Sequence, residues 1–381
     1  MRRDLSSTAR HAPRIGLIVN PVAGLGGAVA LKGSDGAARQ ALARARGAAP
    51  AAAARTARAL AALVRAGMRA ELLVAPGAMG AGPAAAAGVA ARSIGRIGAT
   101  TTGADTTRIA AEMAAAGAGL ILFAGGDGTA RDVAAGAGDA AILGIPCGVK
   151  MHSAVFAVSP EAAGEIAALC AADPRATTWQ DADVMDIDED LLAQGAVAVR
   201  LHAVARAPAA HGAMQRAKAP SRPPDDAALE ALADEIVREM PAGQLHLLGC
   251  GATLRKVKRR LGGEGTLLGV DVALDGRLIA LDADAATLER LAAGAPARIV
   301  LGVTGGQGFL LGRGNQQISA ALLRRVGREN LVVLCGARKL LELDPPVLRV
   351  DTGDPALDRA LCGYIRVRTA PGQSMMMRIA A

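Results

Sequence analysis

The sequence predicts an α/β protein with an N-terminal three-layer open parallel sheet and a second, mixed α/β domain that also contains β-structure. Three observations carry this expectation. Short apolar runs of strand length, at 14–20 (RIGLIVN), 70–75 (AELLVA), 120–124 (LILFA) and 141–145 (AILGI), alternate with alanine- and arginine-rich helical stretches. Several of these runs break at a glycine or proline turn, where an open parallel sheet collects its ligands. The alternation changes at Trp179, where an acidic run (181–190) and an alternating stretch (196–205) read as a β-rich crossover. The expected boundaries are 1–175, 176–226 for the crossover and linker, and 227–381, with the late strands returning to the first domain.

In chain order, the first strand (14–20) runs into PVAGLGG at 21–27, and a loop KGSDG follows at 32–36. Residues 40–66 read as helix broken near Pro50, and 79–92 as loop or short helix. Asp105 or Thr106 is the expected N-cap of a helix over 107–116. The strand at 141–145 ends in PCGVKMHSAVFA (146–157), read as a proline and glycine loop that opens a helix. KAPSRPPDD (218–226) reads as a linker. A helix is expected over 227–240, then a strand at 245–248, the turn GCGAT (249–253) and a basic helix, together a second candidate anion site. Asp275-Gly276 marks a hairpin. Asp271 interrupts an apolar strand and needs a partner or exposure. A glycine- and glutamine-rich loop at 304–317 precedes a helix at Ser319. The last strands are expected at 331–335, 347–351 and 364–369.

Composition narrows the classes. With 381 residues, 51% of them hydrophobic, the chain can bury a large core. It has one Trp, one Tyr and three Phe, so it lacks the stacking platforms of single-strand nucleic-acid binders. The net charge of +8 is spread along the chain rather than gathered in a stripe, which suits anionic small ligands. Five scattered cysteines without a CxxC argue against a zinc site or a disulfide framework. No apolar h-region follows the basic N-terminus, and no apolar run spans a bilayer. The expectation is a cytoplasmic protein whose partners are small-molecule nucleotides, with no nucleic acid and no membrane.

The chemistry centres on GGDGT, Gly125 to Thr129. A strand ending in glycines, with a helix following, lets backbone N–H groups approach an anion and adds the helix dipole. Asp127 stands at the tip, where it would meet a substrate hydroxyl or a metal. Lys150, His152 and Ser153 offer a cation, an imidazole and a hydroxyl nearby. The loops at 20–36, 125–129 and 146–153 all follow strands and should share one sheet edge.

These motifs together resemble the ATP-NAD kinase superfamily, and within it the AcoX-type branch. The resemblance rests on Val19-Asn20-Pro21 with its glycines, LKGSDG from Leu31, FAGGDGTARD from Phe123, GVKMHSAVFA from Gly148, GTLLGVD from Gly265, GGQGFLLGRGNQQIS from Gly305 and VDTGD from Val350. It covers about residues 14 to 370. It implies a phosphofructokinase- or NAD kinase-like first domain, a second domain closing over the site, ATP and NAD as substrates with Mg²⁺, and a homo-oligomer. Asp127 is implied as the catalytic residue. Asn20, Gly24, Gly26, Gly125, Gly126, Gly128, Thr129, Lys150, Ser153, Gly306, Gly308 and Arg313 are implied as the nucleotide-binding set, and Asp132 and Asp35 as candidate metal ligands. Arg131-Asp132-Val133 stands where lipid kinases of this motif carry Asn-Glu-Val, and GCGAT stands in place of Gly-x-Gly-Thr-Thr. Two other readings stay open: a kinase of another small-molecule or lipid alcohol, and a sensor that binds NAD or ATP without turnover.

Overall fold

The computed structural model describes residues 12–31, 36–148, 151–187, 199–210, 212–215 and 226–381. In the N-terminal part, strands β1 (Arg14–Val19), β2 (Glu71–Val74), β3 (Arg92–Ser93), β4 (Leu120–Gly125) and β5 (Ala141–Pro146) form one parallel sheet in the order β3-β2-β1-β4-β5. β4 and β5 are buried at every residue, as continuous apolar runs covered on both faces require. Helices α1 (Ala37–Ala45), α2 (Ala52–Arg65), α3 (Ala81–Ala86), α4 (Gly103–Ala115), α5 (Asp127–Gly136) and α6 (Pro160–Ala172) complete this part. α2 packs on α6 and α4 on α5, which gives the three layers.

Two local expectations shift. The cap of α4 is Thr102, with Asp105 at the third helical position reaching back to the Thr102 N–H at 3.0 Å, so the helix starts earlier than the Thr/Asp run alone indicates. Residues 151–157 do not open a helix. After β5 the chain folds back, with Gly144 N–H bonding to Val155 O (2.8 Å) and Ala157 N–H to Gly144 O (3.0 Å). Phe156 inserts edge-on against Phe123, with ring centroids 5.4 Å apart. The absence of a side chain at Gly144 makes room for the Phe156 ring. Burying such a ring is worth about 1.5–3 kcal/mol, which outweighs any local helical preference. The next helix starts only at Pro160, capped by Ser159.

β6 (Trp179–Ile187) and β7 (Val199–Pro208) form an antiparallel ribbon. The start of the acidic run is strand: Asp181 and Asp183 are exposed, whereas Ala182 and Val184 are buried.

The C-terminal part holds a mixed sheet of eight strands, ordered β10-β9-β8-β11-β12-β14-β15-β13. These are β8 (Leu245–Leu248), β9 (Asp271–Leu274), β10 (Arg277–Ala280), β11 (Ala297–Gly302), β12 (Leu331–Leu334), β13 (Val347–Arg349), β14 (Gly363–Ala370) and β15 (Gln373–Ala380). Helices α7 (Asp226–Arg238), α8 (Ala252–Arg259), α9 (Ala285–Gly294), α10 (Ala320–Val326), α11 (Ala337–Leu341) and α12 (Pro355–Leu361) accompany it. The late strands stay in this sheet instead of returning to the first. A tight turn joins β14 to β15, and β14 pairs in parallel with β12. Among the described residues no helix is long and apolar enough to cross a membrane.

Asp271 has the partner its burial demands. Lys258 Nζ lies 3.2 Å from its carboxylate, both side chains fully buried, and Thr266 N–H, Thr266 Oγ1 and Asp282 N–H donate to the same carboxylate. Burial pulls the Lys258 ammonium below its ordinary value, and Asp271 opposes that pull.

Candidate functional site

The parallel order places the C-terminal ends of β1, β4 and β5 side by side, so their three loops meet at one edge. Asn20 follows β1. Its Nδ2 donates to Thr129 Oγ1 (3.0 Å), and its Oδ1 accepts from Val22 N–H (3.2 Å). Cys147 N–H, just after β5, donates to Gly125 O (2.9 Å), tying the third loop to the glycine turn.

Asp127 opens α5 and is 6% exposed. Its Oδ2 accepts from His152 N–H (2.8 Å). Its Oδ1 accepts from Ser153 N–H (3.0 Å) and Ser153 Oγ (2.6 Å). Met185 N–H donates to Ser153 Oγ at 2.9 Å, so the β6–β7 ribbon braces the same serine. These donors are uncharged. They fix the orientation of the carboxylate at the positive end of the helix.

The glycines of the site divide by what surrounds them. A side chain on Gly125 would overlap Thr129, and one on Gly24 (φ +80°) would lie 2.7 Å from Ala51 Cβ and 2.8 Å from Cys147 O. Gly26 is buried, and its carbonyl accepts from Leu31 N–H. These three serve close packing. A Cβ on Gly126 would approach Gly148 Cα to 3.3 Å. A Cβ on Gly128 or Gly306 would meet nothing within 4 Å, so both border open space. The first-turn N–H groups of α5, at 127–129, have no acceptor inside the helix, and Gly128 is where an anion has access to them.

The loop at 304–317 reaches the site from the second sheet. Its 3₁₀ turn Gly305–Gln307 ends at Gly308 in the left-handed conformation (φ +72°). Gly308 O accepts from Arg349 N–H, and a Cβ there would come within 2.9 Å of Val347 O. Gln307 Nε2 donates to Met151 O (2.9 Å), and Gln316 Nε2 approaches Gly148 O (3.4 Å). A further tie across the interface is Ala285 N–H to Ala28 O (2.9 Å).

Arg313, expected to face phosphate, is 3% exposed and joins a buried ion cluster instead. Its Nη1 lies 2.8 Å from Asp351 Oδ2, and its guanidinium stacks on the Phe309 ring at 4.4 Å. Arg55 of α2 holds both oxygens of Asp351 at 2.7 and 2.9 Å and donates to Pro146 O. Burial raises the Asp351 carboxyl, but Arg55 and Arg313 outweigh it and hold the group well below the usual carboxylate range. Burial lowers the Arg313 guanidinium, against the pull of Asp351. Burial pushes the neighbouring Cys147 thiol up to about 12.

Lys150 and Asp35 lie outside the described residues. Asp132 pairs with Arg131 at 3.2 Å, and its carboxylate packs against the N-terminus of α4 at Gly103. Among the described residues no group of three or more Asp, Glu, His or Cys could hold a metal ion, so the described side chains do not fit a protein-built Mg²⁺ site. The second candidate anion site also closes. Lys256 faces Asp226 and Glu230, Arg260 faces Glu230 and Asp234, and Arg255 and Arg259 share Glu264. The chain's own carboxylates answer the cations of that helix.

Sequence reasoning missed Gln307, Gln316, Arg55 and Asp351. Gln307, Gln316 and Asp351 lie in motifs marked as informative, GGQGFLLGRGNQQIS and VDTGD. Arg55 carries no signal, being one of several arginines in an alanine-rich helix.

Residues 15–174 match the ATP-NAD kinase N-terminal domain, and residues 245–379 match the ATP-NAD kinase C-terminal domain. No curated protein and no solved structure matches the chain. With both domains matched in order across the two sheets, the chain belongs to the ATP-NAD kinase family.

Proposed function

We propose that this chain is an ATP-dependent kinase that phosphorylates the 2′-hydroxyl of NAD to give NADP, and that it is of the AcoX type within its family. The observation that carries the proposal is Asp127, a carboxylate at the N-terminus of α5, oriented by the uncharged donors of His152 and Ser153. In the proposed reaction the 2′-oxygen forms a bond to the γ-phosphorus of ATP. The bond from that phosphorus to the bridging oxygen breaks, ADP leaves with the electron pair, and the hydroxyl proton passes to Asp127. Such a transfer needs positioning and charge stabilisation rather than a covalent intermediate. The amides at 127–129, reached past Gly128, suit phosphate oxygens. The triphosphate would be presented as its Mg²⁺ complex, with the metal held by the nucleotide and water.

One observation favours a second reading. Donors from His152 and Ser153 occupy both oxygens of Asp127, which also suits a chain that binds nucleotides without turnover. Incubation with Mg-ATP and NAD, with NADP read by an NADP-specific dehydrogenase, separates the two. NADP formed by the wild type and lost in Asp127→Ala supports the kinase. NAD bound without product supports the sensor. Turnover of a different alcohol only, in a screen of acceptors, moves the assignment to that alcohol.

A further inference from the structure

We infer that Gln307 is a positioning residue for the Asp127 carboxylate, acting across the interface through the one peptide unit that joins Met151 to His152. The carbonyl of that unit, Met151 O, accepts from Gln307 Nε2 at 2.9 Å. The N–H of the same unit, on His152, donates to Asp127 Oδ2 at 2.8 Å. One rigid plane therefore carries a hydrogen bond at each end, with the second domain on one side and the central carboxylate on the other. An amide that accepts at oxygen becomes a better donor at nitrogen, so the two bonds strengthen each other. Without Gln307 this plane loses the contact that sets its tilt.

Gln307 is itself held firmly. It ends a 3₁₀ turn, and the following Gly308 takes a positive φ and is clamped to β13 through the Arg349 N–H bond to Gly308 O (2.8 Å). The amide nitrogen of Gln307 also approaches Gln215 Oε1, but at 3.4 Å, so its main bond is to the peptide. Gln307, Met151 and Asp127 are all buried, which keeps water from replacing the missing donor. Ser153, a further anchor of Asp127, is braced separately by Met185, so loss of Gln307 acts on the Oδ2 side. The inference rests on the reading of Asp127 as the reacting carboxylate for its kinetic consequence alone; the hydrogen-bond relay stands without it.

The test uses the full chain and ¹⁵N-resolved NMR of the His152 amide in wild type, Gln307→Met and Gln215→Met. In Gln307→Met the His152 amide proton should move upfield and exchange with solvent about tenfold faster, the equivalent of one hydrogen bond. In Gln215→Met it should stay as in the wild type. Kinetically, Gln307→Met should lower kcat about tenfold while KM stays within about twofold, the pattern of a lost transition-state contact. Should Gln307→Met fail to fold, Gln307→Leu, which keeps most of the volume and carries no donor, is expected to show the same shift. A His152 amide unchanged in shift and exchange in the folded variant overturns the inference. If the wild type phosphorylates nothing, the kinase reading fails while the His152 amide still decides the relay. If it makes NADP and the amide does not move, the relay alone is wrong.

Discussion

Asp127 and Asp351 are both buried carboxylates beside the same loops, and different groups orient them. Asp351 is held by the guanidinium groups of Arg55 and Arg313, from the two sides of the interface, with Arg58 Nη1 at 3.9 Å. Asp127 is held by two backbone N–H groups and a hydroxyl. A carboxylate enclosed by arginines has its charge answered and joins elements together. At Asp127 the backbone N–H groups of His152 and Ser153 and the Ser153 hydroxyl fix the direction of the carboxylate. In the proposed reading this difference assigns chemistry to Asp127 and joining to Asp351, which residue type alone does not do.

The largest effect that would break this contrast lies at Asp127. Replacing it by alanine should reduce NADP formation by about 10²–10⁴, the usual range for a lost general base. Steady-state kinetics, with circular dichroism as a check on folding, measures this. An Asp127→Ala enzyme as active as wild type would erase the distinction.

At Asp351 the loss should appear in stability. Asp351→Ala leaves two buried guanidinium groups without their counter-ion and should destabilise the protein by about 3–5 kcal/mol in urea unfolding. The pH dependence has a definite sign. Because the folded-state pKa of Asp351 is depressed, its contribution is present above the unfolded value of about 3.9 and is lost as pH falls toward the folded value. The gap between wild type and Asp351→Ala should therefore narrow in acid.

Two glycines of one turn sharpen the contrast at smaller scale. Gly125→Ala forces a methyl group into Thr129 and should cost about 1–3 kcal/mol. Gly128→Ala has open space for the methyl and should change stability by less than about 1 kcal/mol, while weakening nucleotide binding measured by calorimetry.

The smallest effect belongs to Cys147, whose N–H bonds Gly125 O beside Arg55 and Arg313. Its thiol is raised to about 12, so the folded state keeps the proton that the unfolded chain releases above about 8.5. Stability should fall as pH rises through that window, and Cys147→Ala should flatten the alkaline slope. At pH 8 a thiol reagent should label exposed Cys362 and spare Cys147.

What the sequence made legible was local. GGDGT, its strand and its helix lie within one short stretch, and the strand-then-loop rhythm placed three loops at one edge. What it hid was long-range. Arg55 and Asp351 are 296 residues apart, and Gln307 and Met151 are 156 apart. No periodicity joins such pairs. Burial set a requirement without naming its answer at Asp271, whose partner Lys258 lies in a helix read as an anion site. The fold-back of 151–157 escaped because it depends on Phe156 meeting Gly144, a tertiary contact. β15 went unread because QSMMMRIA shows little polar alternation, and its strand character comes from pairing with β14.

In the proposed reading Asp127, oriented by His152 and Ser153, does the chemistry, and Asp351, held by arginines, does the joining. Parallel measurement of kcat for NADP formation and of Tm in Asp127→Asn and Asp351→Asn tests it most directly. The account predicts that Asp127→Asn loses activity with its fold retained, while Asp351→Asn melts well below wild type yet turns over at low temperature. Full activity in Asp127→Asn, or an unchanged Tm in Asp351→Asn, would contradict it.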